Sequence, residues 1–300
     1  MRIVSLVPAG TEIACALGAG DELVAVTHDC DYPPAVRALP RITRSTIVPG
    51  SDSVAIDAQV RAAVERGEST FHLDPAALAA ARPEVLLGQT LCEVCAVTVA
   101  QLPATLDPAP DVVPLHGQSL DGIFADIARV GEALGRPEAA TKLVAELRAR
   151  IARVEALVTG AGRPSVVCLD WLAPLFNAGH WVPEQVAIAG GEDLLGRPLD
   201  PSIDIPWDQL LAADPEFLFL LPCGFDAERA LREAQVLTER PEWRELRAVR
   251  VGNTYVLDGN AYFSRPGPRV VDGIELLASL LHPGCVERPH GARVLTPHAA

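Results

Sequence analysis

Short apolar runs rich in β-branched residues alternate along the chain with stretches whose apolar positions recur every three or four residues. The short runs suit strands buried on both faces, and the periodic stretches suit amphipathic helices. A strand is predicted over residues 2–7, a helix over 11–17 and a strand over 23–27. A helix over 75–81 leads to a strand at 85–87, and a strand at 112–115 leads to a helix over 120–134. Repeated βα units predict an α/β protein with parallel sheets covered by helices.

The longest helical pattern runs over residues 137–158, through Leu143, Leu147, Ile151, Val154 and Val158. Gly160, Gly162 and Pro164 end it. At 1.5 Å per residue it spans roughly 33 Å. Periodicity alone fits either a rigid strut between two blocks or one more sheet-covering helix. A strand at 165–169 restarts the βα order, 251–257 reads as the last strand and 270–281 as the last helix. Residues 77–87 and 209–219 share one pattern: a helix, a Pro-Glu break at Pro83 or Pro215, and a buried strand. Proline stops the helix and presets an extended entry to the strand. A repeat of this kind points to two lobes of similar build. The expected boundaries are 1–136 for an N-terminal lobe, 137–159 for the connecting helix, 160–285 for a C-terminal lobe and 286–300 for a loose tail.

Charge narrows the function classes. The 39 acidic residues outnumber the 25 basic ones and leave a net charge of -14. That disfavours broad binding to nucleic acid or anionic membrane, which needs excess lysine and arginine. The apolar runs are far shorter than the roughly 20 residues of a membrane helix. The opening reads as a strand rather than a leader, so the expectation is a cytoplasmic protein, or an extracytoplasmic one if the start is trimmed. Seven cysteines, most of them in apolar runs, form no disulfide framework.

In open parallel sheets ligands bind beyond the carboxyl ends of the strands, so the post-strand loops are the candidate sites. The first holds Pro8, Thr11 and Glu12, with Thr11 a plausible N-cap. The second holds His28, Cys30 and Tyr32; the third holds Gln89, Cys92, Glu93 and Cys95. Cys92 and Cys95 have metal-ligand spacing, which Cys30 or His28 could complete, although a lone C-x-x-C is a weak signal. In the second half Trp171, His180, Trp181, Phe225, Tyr262, Phe263 and Arg265 fall in or near such loops. Aromatic rings at the mouth of a sheet suit stacking on a large flat ligand, and core packing is the competing reading for each. Nucleophile-elbow, phosphate-loop, zinc-protease and dinucleotide glycine motifs are all missing from the sequence. The balance favours a binder over an enzyme.

The opening from Arg2 to Glu12 resembles the start of the helical-backbone substrate-binding proteins, which serve iron-siderophore, haem and vitamin B12 uptake. Asp31-Tyr32-Pro33-Pro34 resembles the second-strand loop of the cobalamin-binding branch. The segments at Pro83 and Pro215 and the run from Ser264 to Arg269 are similar too. The resemblance covers about residues 2–283. It implies two Rossmann-like lobes joined by one long helix, a ligand held in the cleft between them, and no catalysis. Tyr32, Trp171, Trp181, Tyr262 and Arg265 are the implied counterparts of corrin-contacting residues. Exported members dock on an ABC importer through one surface acid per lobe, seven residues before each proline. That position is Asp208 in the second half and Ala76 in the first, with Asp74 nearby. The uncharged Ala76 and the missing leader weaken the importer role more than the binding role.

Three readings follow. The first is a corrinoid binder, with cobalamin or a precursor against the aromatics and His180 or His28 as a conceivable axial ligand to cobalt. The second keeps the fold and changes the ligand to haem or a ferric siderophore, for which Arg41, Arg44 and Arg265 are few basic groups. The third is a thiolate metal or redox site on Cys30, Cys92 and Cys95.

Overall fold

The computed structural model describes residues 1–90 and 106–297. Two compact units share the chain: residues 1–51 with 55–147, and residues 52–54 with 148–300.

In the first unit the elements are β1 (Ile3–Ser5), α1 (Pro8–Ala16), β2 (Leu23–Val26), β3 (Thr43–Ser45), α2 (Ser53–Glu65), β4 (Phe71–Leu73), α3 (Pro75–Ala81), β5 (Val85–Gln89), β6 (Asp111–Leu115) and α4 (Leu120–Ala133). The sheet order is β2-β1-β5-β6, every pair parallel. All residues of β1 and β5 are buried, as parallel strands covered on both faces must be. Val4, Leu6, Ala25, Ile42, Leu78 and Leu86 form one apolar cluster beneath α3. β3 and β4 make a separate antiparallel pair.

Helix α5 (Pro137–Val158) has the predicted bounds and contains the boundary between the units. The second unit continues with β7 (Ser165–Leu172), β8 (Leu175–Asn177), β9 (Gly179–His180), α6 (Val182–Ile188), β10 (Glu192–Asp193), β11 (Arg197–Pro198), α7 (Trp207–Ala213), β12 (Phe217–Leu220), α8 (Ala227–Glu233), α9 (Gln235–Thr238), α10 (Arg247–Val251), β13 (Thr254–Val256), α11 (Gly259–Tyr262) and α12 (Val270–Leu281). Its sheet runs β10-β7-β12-β13 in parallel, with β8 folding back antiparallel on β7. Arg150 of α5 donates to Glu275 Oε1 at 2.9 Å and to Asp272 Oδ1 at 2.5 Å, which fixes this part of α5 on α12. Past Cys285 the chain is tied back where Val256 and Leu295 exchange backbone hydrogen bonds of 2.7 and 3.1 Å.

Several local expectations change. Strand β7 runs to Leu172 rather than Leu169, because the hairpin partner β8 satisfies its outer edge. The last strand starts at Thr254, because residues 247–251 close a helix on Gly252, a left-handed C-cap at φ 80°. Helix α1 starts at Pro8, which lacks an N–H and suits the first turn, so Thr11 is inside the helix and is not its N-cap. The repeated helix-Pro units keep their pattern, but the residues before the prolines, Arg82 and Asp214, are left-handed (φ 45° and 34°) rather than extended. Each is the C-cap of its helix, where such a residue releases the chain sharply into the next strand.

Close packing of α4 on the start of α5 depends on a missing side chain. A β-carbon at Gly131 would collide with that of Ala140. Gly131→Ala is expected to cost about 1–3 kcal/mol. Moving the methyl group in the Gly131→Ala/Ala140→Gly double variant should return about 1 kcal/mol of coupling in a double-mutant cycle. Urea unfolding measures both, and strictly additive costs would refute the contact as the cause.

Candidate functional site

At the carboxyl edge of the first sheet, β1 gives way to Leu6, Val7 and Pro8. Ser5 Oγ donates to the Val7 carbonyl at 2.7 Å and pins this turn. Thr11 is fully buried, with Oγ1 3.0 Å from Cys30 Sγ, so the first and second loops are joined there. Glu12 is buried as well. The second loop has a framework that the sequence did not disclose. Arg41 Nη1 donates to the carbonyls of Thr27 (2.8 Å) and Cys30 (2.7 Å). His28 Nδ1 is 2.7 Å from Thr43 Oγ1, Nε2 is 3.4 Å from Asp29, and the ring stacks on Phe71 at 5.3 Å. Tyr32 stands out from this frame at 45% exposure. Gln89 ends β5, nearly buried. The loop after β6 is anchored by Asp126, a buried α4 carboxylate whose Oδ2 accepts from His116 and Gly117 N–H at 2.8 Å.

At the carboxyl edge of the second sheet, Trp171 lies within β7 opposite Phe176. Its Nε1 donates to the Ala173 carbonyl at 3.2 Å, and its ring meets Phe225 at 5.1 Å with a 54° tilt. Phe225 is buried, and the Arg229 guanidinium covers its ring at 3.8 Å. Trp171 is thus a part-exposed ring seated on a fixed aromatic base. His180 and Trp181 form a different pair, stacked at 5.8 Å where β9 enters α6. Trp181 is buried, and its Nε1 has no hydrogen bond among the described residues. Tyr262, at the end of α11, meets Phe263 edge-on at 6.3 Å. Its carbonyl accepts from Gln185 Nε2 at 3.1 Å. Arg265 is buried at 5% exposure. Asp208 is exposed on the first turn of α7. In the first unit Ala76 is exposed, and the adjacent Asp74 accepts from the N–H of Ala76 and Ala77 as the N-cap of α3. Glu93, Cys92 and Cys95 lie outside the described residues, among which no group of three metal-ligating side chains occurs.

The model of the family described as "Periplasmic binding protein" matches residues 3–261. The chain belongs to this family of binding proteins. A vitamin B12-binding protein of Vibrio cholerae serotype O1 is 25% identical over 288 residues, covering 93% of this chain and 88% of the relative. An uncharacterized ABC transporter substrate-binding lipoprotein of Bacillus subtilis is 23% identical, covering 94% and 80%. The fold is shared with a periplasmic heme-binding protein of Pseudomonas aeruginosa (TM-score 0.68, 22% identity, 98% and 95% covered). It is shared equally with the periplasmic vitamin B12-binding protein of Vibrio cholerae (TM-score 0.66, 22% identity, 93% and 96% covered). Membership makes the chain a non-enzymatic binding protein. It also removes support from the cytoplasmic expectation, since the family is a periplasmic one, and from the doubt over an importer. No helix among the described residues is long and apolar enough to cross a membrane.

Among the described residues burial raises the pKa of three aspartates, Asp170, Asp193 and Asp258. Asp170, at the carboxyl end of the second sheet, is pushed up to about 6, against a hydrogen bond from Ser202 Oγ at 2.6 Å that favours its charge. Asp193 is pushed up to about 7. Its Oδ1 accepts from Leu195 and Gly196 N–H at 3.2 and 2.9 Å, while Oδ2 is buried without a hydrogen bond among the described residues. Burial lowers the pKa of His180, which favours the neutral imidazole.

Asp170 and Asp193 set a pH dependence. Each holds its proton in the folded state above the pH at which the unfolded chain, near the ordinary 3.8, has lost it. Stability is therefore full below that value and falls as pH rises toward about 7, by up to about 1.4 kcal/mol per pH unit for each group. Asp193→Asn should remove the upper part of this fall. Urea midpoints from about pH 4 to about pH 8 test it, and an unchanged slope in the variant would contradict the assignment.

Proposed function

We propose that this protein binds a corrinoid, cobalamin or a precursor, and delivers it to an ABC importer outside the cytoplasm. The observation that carries the reading is the part-exposed Trp171 ring near the end of β7, backed by Phe225 at a 54° tilt, an aromatic face on which a large planar ligand can stack. Tyr32 supplies a second exposed ring from the first unit. Few free cations for an anionic chelate speak for the corrinoid. Arg41 is engaged by the carbonyls of its own loop, and the net charge is -14. His28 is fixed at Nδ1 by Thr43 as part of the second-loop frame. The names of the curated relatives agree with a corrinoid. Pro8, Thr11, Glu12 and Gln89 shape the first edge, while Trp181, His180, Tyr262 and Arg265 complete the candidate set in the second unit. Asp208 is the importer-docking acid. With Ala76 at the matching position, the first unit docks without that charge, because Asp74 is engaged as a helix cap.

Haem is the second reading, because a porphyrin is also flat and structural neighbours include heme-binding proteins. Titration with cyanocobalamin, haemin and a ferric hydroxamate, followed by heat and visible absorbance, separates these ligands. Cyanocobalamin is expected to bind at micromolar concentration or below. Trp171→Ala should weaken it by about tenfold or more, the loss of one aromatic contact of about 1.4 kcal/mol. Haemin binding with no corrinoid binding at about 100 µM would overturn the proposal.

A further inference from the structure

Beside the Trp171 platform the second unit has an apolar cavity of about 260 Å³. The hairpin turn after β7 (Leu172 to Leu175) forms one wall; Trp207 at the start of α7 and Val236 and Leu237 of α9 form the others. Trp171 Nε1 holds the same turn through the Ala173 carbonyl, so the platform and the cavity share one wall. Arg240 closes the rim, its guanidinium 4.8 Å from the centre of the Trp207 ring. Nη2 of Arg240 donates to Glu242 Oε1 at 2.9 Å, which holds the guanidinium over the indole.

Size and chemistry limit what fits. An apolar cavity of about 150 Å³ takes a benzene ring, so 260 Å³ accommodates a fused two-ring system. It is smaller than the ~300–1,000 Å³ of pockets that enclose a whole drug-sized ligand, so it takes one appendage and not a macrocycle. The lining has one aromatic face and aliphatic walls, and among the described residues its one charged side chain is a guanidinium, a group that recognises phosphate by charge-assisted hydrogen bonds. A flat apolar base that enters first and carries an anionic phosphate at its outer end satisfies all three features.

We propose that this cavity is a subsite for the nucleotide arm of a corrinoid: a bicyclic aromatic base lies on Trp207 with its phosphate at Arg240. The inference rests on the corrinoid reading and adds to it which corrinoids are preferred. Cobalamin carries the arm, and cobinamide is the same macrocycle without it.

The test is a calorimetric comparison of cobalamin, cobinamide and the free nucleotide (α-ribazole phosphate) on the wild type, Val236→Trp, which fills the cavity, and Arg240→Gln. The wild type is expected to favour cobalamin over cobinamide by about tenfold or more. In Val236→Trp that ratio should fall to about one to two, and Arg240→Gln should lower it by about threefold or more. Equal affinities in the wild type, or a ratio unchanged by Val236→Trp, would overturn the subsite and leave the corrinoid reading standing. If neither corrinoid binds, the corrinoid reading fails and the free nucleotide decides the cavity. Weak binding abolished by Val236→Trp supports it, and absent or unaltered binding overturns it. Circular dichroism and the thermal midpoint confirm that each variant is folded.

Discussion

The protein depends on parallel strands that must be covered on both faces. Every parallel pair needs a crossover, and each crossover returns the chain to the amino end of the next strand. The sheets are therefore sealed by helices along their faces and left open at their carboxyl edges. In the first unit the central ladder of Ile3, Val4 and Ser5 is bonded to β2 on one side and β5 on the other, and none of the three is accessible to water. Here, at the edge, polar and aromatic side chains can face a ligand without breaking the core.

Buried and half-buried polar anchors help to keep those edges in shape. Asp126 holds the loop after β6, Arg41 and Thr43 hold the loop after β2, and in the second unit Asn177 spans two segments. Asn177 donates from Nδ2 to the Leu195 carbonyl and accepts from Ile203 N–H at 2.8 Å. A buried polar group left without such bonds is costly, so each anchor favours one arrangement of its loop over all others. This is why each of these loops holds one shape within its own unit.

The charge of the whole and the charge at the edges serve different ends. A net charge of -14 keeps the protein soluble, while the arginines at the edges are engaged locally. Arg41 is latched to carbonyls, Arg229 covers Phe225 and Arg240 covers Trp207. Each of the last two guanidinium groups is drawn to its ring by the negative face of the aromatic quadrupole.

Much of the fold was legible in the sequence because the signals were local. Helices α3, α5 and α12 have their predicted bounds, since an apolar stripe, the first-turn prolines of α3 and α5 and the glycines after α5 act within a few residues. Buried strands were found by their composition, but β7 was read three residues short, because its end is set by pairing with β8 rather than by its own residues. The sequence by itself determined two α/β units, a long helix at their boundary, a non-catalytic binding role and aromatics at strand ends. Only the tertiary structure decided which side chains meet. Thr43 reaches His28 across 15 residues, and Trp207 lines a cavity with residues about 30 positions away on either side. Contacts of that range leave no periodic trace, because they depend on how crossovers return the chain and not on the spacing of residues along it.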